Sequence, residues 1–307
     1  MSGPYTFHLH LGGWLTVVVV GLLYALAVRH TWPGADEPTS PTARQWWSLG
    51  GGLLALAVAL TWPVADLAAH WSLTALVVQR LLLILAAVPL LLLAVPAPVL
   101  GALTRPAPVD RVLEVMTRPV VAVVTFTVIA VGTLLTPAVE AQASSGAVRG
   151  LLDVVLVLGG VVLWGPVLRH IPGASRPTPV GLAVYLFVQS VVPGFPSVIY
   201  VFAHHPLYDT FAQAHRAIGL STVTDQQLAG VVAKVATLPV LWSVAWVALS
   251  RAARHENLGG DDTVLTWSEV QRQLERAERR ERHRRGASAS EPAPAPPPAR
   301  PDTSDSL

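Results

Sequence analysis

"TDQQLAGVVAKVATLPVLW", residues 224–242, has the composition of a segment that crosses a bilayer, yet it carries Lys234, the single lysine of the chain. A span tolerates such a cation where it turns toward other helices, or where its four-carbon stem lets the ammonium reach water. Working outward from this stretch, the chain of 307 residues is 52% hydrophobic and 13% charged, far from a soluble average. Apolar runs recur near residues 11–28, 47–64, 73–95, 120–136, 150–168, 180–202 and 228–249. At about 1.5 Å per residue, runs of this length suit a hydrocarbon core of about 30 Å. An apolar segment in lipid must satisfy its own backbone hydrogen bonds, so residues 1–250 read as an all-α, polytopic membrane bundle of seven transmembrane helices. The first run is too long for a signal-peptide core and has neither a basic leader nor a small-residue cleavage pattern, so it reads as a helix of the mature protein. The absence of cysteine excludes disulfides and thiolate ligands.

Arginine placement sets an expected orientation. With the amino terminus outside, the inward loops hold Arg29, Arg44, Arg105, Arg111, Arg118, Arg169 and Arg176, against Arg149 and Arg216 outside. This bias follows the positive-inside rule and puts the carboxyl terminus in the cytoplasm. Residues 251–285 read as a charged cytoplasmic helical tail with a capping box at Thr266 and Glu269. Residues 286–307, rich in Pro, Ala and Ser, read as disordered.

In that orientation His8, His10, His70, His204, His205 and His215 lie outside, and His30, His170, His255 and His283 inside. Imidazole binds copper and zinc, which makes the outer histidines a candidate metal site. The competing reading is that they are simply wet, because His8 with His10 and His204 with His205 lack the i, i+4 spacing that aims two rings at one ion. Within the spans, Gln79, Arg80, Asp153, Gln189 and Lys234 stand out. Counting along the helices puts Asp153, Arg80 and Lys234 about 5, 10 and 10 Å below the outer surface. Such groups normally turn inward and pair, with Asp153 the expected anionic partner of one or both cations.

The stretch "PLYDTFAQAHRAIGLSTVTDQQLAG", residues 206–230, resembles the CtaG family of bacterial cytochrome c oxidase assembly proteins. The resemblance rests on a "PLY"-type turn holding Tyr208, and on Asp225, Gln226, Gln227, Ala229 and Gly230 in a "DQQ.AG" motif opening the last helix. Looser matches are "RQWWSLGGGLLALAVAL", "VVQRLLLILAAVPLLLLAVPAPVL" and "WGPVL", in matching order over residues 10–250. The resemblance implies a heptahelical protein of the bacterial plasma membrane that helps mature a haem-copper oxidase and delivers copper to its catalytic subunit. Its partners would be an oxidase subunit or other assembly factors, within the lipid bilayer. The family pattern carries histidines on the third span, where this chain has Leu76 and Arg80 flanking Gln79, and on the fifth near Asp153. That departure turns a metal-ligand pattern into a charged one, since a protonated cation is no ligand. Asp225 is placed to cap the helix it opens.

Two other readings compete. Arg80, Asp153, Gln189 and Lys234 suit the substrate or proton path of a transporter or channel, with Pro193 and Pro196 breaking the sixth helix nearby. Seven spans with a lysine on the last also suit a retinal pigment, but Lys234 lies too shallow and the third span lacks an acidic counter-ion. No catalytic constellation argues for an enzyme. The basic tail is explained by topology and lipid rather than nucleic acid.

Overall fold

The computed structural model describes residues 10–30, 40–168, 174–212 and 219–259. His8, His170, His215, His283, Arg169 and Arg216 lie outside the described residues, as do the Thr266–Glu269 capping box and the tail 286–307. The chain divides into two compact units, residues 1–251 and 252–307; of the second, residues 252–259 are helical. All regular structure among the described residues is helical.

The helices are α1 (Leu11–Arg29), α2 (Ala43–Leu60), α3 (Val64–His70), α4 (Leu73–Leu81) and, after a π-helical stretch Leu82–Ala87, α5 (Val88–Ala94). They continue as α6 (Ala97–Thr104), α7 (Ala107–Met116), α8 (Pro119–Gly132), α9 (Thr136–Ser144) and α10 (Gly146–Trp164). The last are α11 (Pro179–Val191), α12 (Phe195–Phe202) and α13 (Thr222–Gly259). Local chemistry fixes several starts. Thr42 and Gln45 form a reciprocal capping box on α2, and the hydroxyls of Ser72, Ser145 and Thr178 accept from the first turns of α4, α10 and α11.

Six segments are long and apolar enough to cross a membrane: Leu11–Arg29, Ala43–His70, Leu73–Ala94, Gly146–Trp164, Pro179–Phe202 and Thr222–Arg254. A seventh exists only if α7 and α8, bent by 85° at their junction, count as one span. The fourth run, expected over residues 120–136, therefore differs from the other six. Its helix α8 has 14 residues, about 21 Å of rise. Pro119 opens it and limits its extension backward. It lies antiparallel to α10, with Gly165 against Thr117 near its start and Gly159 against Ile129 near its end.

Outward faces are apolar, as along α1, where Leu11, Leu15, Leu22, Leu23 and Leu26 are exposed. Such faces belong against lipid, and the protein is multi-pass in a membrane. Inward, small residues bring backbones together: a methyl on Gly13 would land on the Leu60 carbonyl, one on Gly52 on Leu91 and one on Gly160 on Val88. The central core joins Ile84, Val88, Leu156, Leu163, Leu186 and Leu241 from four of the six candidate spans with Phe126 of α8.

The π-helical stretch interrupts the regular i to i−4 ladder and leaves carbonyls to be met from outside. Trp164 does this at Ile84, its indole N–H donating to the carbonyl at 2.8 Å while the ring stays 3% exposed. Trp164→Phe keeps most of the apolar volume and removes that donor. It is expected to lower stability by about 1–2 kcal/mol, read by denaturant unfolding in detergent.

Candidate functional site

We call the end of the bundle where α4 and α13 begin the polar end. Helix α13 starts at Thr222, so Asp225, Gln226 and Gln227 lie inside its first turns rather than before it. The cap of α13 is Ser221, whose hydroxyl accepts from the Thr224 amide at 3.1 Å. Asp225, expected to cap its own helix, instead reaches across to α4. Its Oδ1 accepts from the Ser72 hydroxyl at 2.8 Å, its Oδ2 from the Leu73 amide at 2.7 Å, and its carbonyl from the Thr74 hydroxyl at 2.8 Å. The carboxylate is fully buried. A negative charge at a helix N-terminus meets orphan amides and the positive end of the dipole, which makes that burial tolerable.

The neighbouring motif residues hold the loop before α13. Gln226 Oε1 accepts from the Leu207 amide at 2.9 Å, and the Gln226 and Gln227 amides reach the carbonyls of His205 and Ala203 at 3.4 Å. Gly230 lies so close to α12 that a Cβ would sit 2.5 Å from the Ser197 carbonyl oxygen. The whole motif is thus a clamp joining α4, α12, α13 and residues 203–208.

Beside the clamp, α8 ends short. Arg80, 6% exposed, donates from Nη1 to the Thr133 hydroxyl at 2.9 Å and from Nη2 to the Thr133 carbonyl at 2.7 Å. Nη2 also reaches Gln142 Oε1 at 3.5 Å. The phenol of Tyr208 donates to the Leu134 carbonyl at 2.6 Å and therefore accepts from Tyr200 at 2.7 Å. Burial pushes the Tyr208 phenol up, which keeps it the neutral donor this bond needs. A guanidinium and a phenol so close the carbonyl end of a helix that stops inside the bundle.

The sixth span breaks between α11 and α12, at Pro193 and Gly194. Lys234 Nζ donates to the carbonyl of Ser190, in the last turn of α11, at 3.5 Å, and lies over Gly194. The cations thus meet helix carbonyl ends rather than the carboxylate expected for them. Among the described residues Asp153 forms no ion pair within 4.0 Å with Arg80 or Lys234. The five polar span residues divide between two cavities. Arg80, Gln189 and Lys234 line one of about 110 Å³; Gln79 and Asp153 line a groove of about 700 Å³ with Arg149 and His10.

Among the described residues the histidines do not gather into a metal-sized group. His10 Nε2 lies 3.0 Å from Asp66 Oδ1, while His70, His204 and His205 are exposed. Among the described residues no three His, Asp or Glu side chains form a metal-sized group.

A family model described as cytochrome c oxidase caa3 assembly factor (Caa3_CtaG) matches residues 22–255. The chain belongs to the Caa3_CtaG family. No curated protein and no solved structure matches it. The matched stretch of this Caa3_CtaG member contains the whole clamp, together with Arg80, Thr133 and Lys234. Sequence reasoning missed Ser72, Thr74, Thr133 and Gln142. Ser72, just before a long apolar run, was the one with a readable signal, that of an N-cap.

Asp225→Ala strands the Ser72 hydroxyl and the Leu73 amide in a buried site, and about 3 kcal/mol or more of stability should be lost. Asp225→Asn keeps one acceptor and should fall between it and the wild type. Both are read by thermal unfolding of the detergent-purified chain. Gly230→Val drives a side chain into α12, and its expected signature is increased proteolysis in residues 203–212.

Proposed function

We propose that this protein is a membrane-embedded assembly factor for a caa3-type cytochrome c oxidase, working as a scaffold for an oxidase subunit or another assembly factor. Membership of the Caa3_CtaG family over residues 22–255 carries this reading. It is placed in the plasma membrane of a bacterium, with seven spans, the amino terminus and polar end outside, and the carboxyl terminus in the cytoplasm. The arginine bias supports that orientation, and counting α7 with α8 as one crossing supports an odd number of spans. The scaffold reading assigns it no catalytic residue. The clamp fits this role, because its residues shape the surface around residues 203–212.

Copper enters as cargo on the outward face. His204 and His205 are its candidate handlers, exposed beside the clamp, with His10 and His70 on the same end and His8 and His215 outside the described residues. A transporter reading draws on the cavity at the broken sixth span, lined by Arg80, Gln189 and Lys234. A strain lacking the gene is expected to lose caa3-type oxidase activity and its haem absorbance, and the wild-type chain should restore both. Rescue of the deletion by added copper assigns copper delivery, and failure of that rescue assigns scaffolding. An unchanged oxidase spectrum removes the proposal, and flux of protons or anions through vesicles holding the purified chain would favour transport.

A further inference from the structure

We infer that the cavity between α4, α11–α12 and α13 binds a small oxyanion that retains a proton, held by Lys234, Arg80 and Gln189. Two cations line this cavity of about 110 Å³, and no Asp or Glu does. Neither has a carboxylate within 4.0 Å among the described residues. In a low-dielectric layer, formal charge without a counter-ion is costly, and helix carbonyl ends offset only part of it.

Donors and acceptors point to the same ligand. Arg80 has five N–H donors and Lys234 three. The Arg80 terminal nitrogens are engaged with Thr133 and Gln142, but its Nε, deep in the bundle, has no partner. Among the described residues Lys234 makes one long bond, to Ser190. Gln189, 2% exposed, gives its amide to Tyr185 at 3.0 Å and leaves Oε1 unpartnered. The wall thus offers positively charged donors, Arg80 buried and Lys234 half-buried, together with the unpartnered acceptor Gln189 Oε1 and the hydroxyls of Ser190, Ser197 and Thr237. An anion of full charge leaves Gln189 Oε1 unmet. A protonated oxyanion, such as dihydrogen phosphate or a carboxylate group sharing a proton, accepts from the cations and donates to Gln189. The beginning of α12, with Gly194 and Ser197 on the wall, adds the positive end of a helix dipole. The remaining wall is largely apolar, including Leu81, Phe126 and Leu241, so the oxyanion arrives either free or on an apolar chain.

The test uses the full-length protein in nanodiscs of neutral phosphatidylcholine, in mildly acidic buffer, with the unfolding midpoint as readout. One arm titrates inorganic phosphate and the other decanoate. Saturable stabilisation by phosphate assigns a free ion, and stabilisation by decanoate alone assigns a lipid-borne carboxylate. In the responding arm Lys234→Met is expected to weaken apparent affinity by about tenfold or more, and Lys234→Arg to stay within a few-fold of wild type. Gln189→Leu is expected to weaken it less than Lys234→Met. Arg80 is left intact because it closes the end of α8. No stabilisation in either arm, or stabilisation that survives Lys234→Met undiminished, overturns the inference and leaves the cavity to water.

Discussion

The Asp225 carboxylate, sealed from solvent on the first turn of α4, is the constraint on which the polar end depends. It joins residues more than 150 positions apart in sequence. A buried charge needs fixed partners, and the only abundant ones in a helical bundle are the free amides at a helix start. By giving its side chain to α4, the aspartate leaves Ser221 to cap α13. The two helices therefore begin at a common level, and Gln226, Gln227 and Gly230 inherit fixed positions against residues 203–208 and α12.

The two cations of the spans, Arg80 buried and Lys234 half-buried, obey the converse rule. Arg80 meets the carbonyl end of α8 and Lys234 that of α11, each at a place where a crossing is cut short or broken. A helix that stops inside a membrane protein exposes acceptors where no water is assured, and a long basic side chain from a neighbour can supply the missing donors. This accounts for the lysine in an otherwise apolar span. It also accounts for the arginine without an ion pair. Pairing with Asp153, the natural inference from depth alone, fails because Gln79 and Arg80 are adjacent on α4 and line different cavities.

Much of this was legible in the residues. Apolar run lengths located the crossings, and the third run, expected over 73–95, appears as Leu73–Ala94. The break in the sixth run followed from Pro193 and Pro196, and the "DQQ" stretch pointed to the family. The fourth run was read as ordinary because hydropathy ignores what Pro119 and the 85° bend do to helix length. The partners of Asp225 and Arg80 were out of reach for another reason. Ser72, Thr133 and Gln142 are individually unremarkable polar residues, and only the packing of three helices brings them to the charges. Depth along one helix is readable from residue counting, whereas rotation about its axis is not.

The shortness of α8 has a geometric consequence for the bundle as an object in a bilayer. The other candidate spans run for 19 to 33 residues and α8 for 14, so hydrocarbon beside α8 alone meets a shorter apolar helix. A bilayer adapts to a short span by thinning beside it, which singles out the α8 side for a neighbouring helix in the membrane.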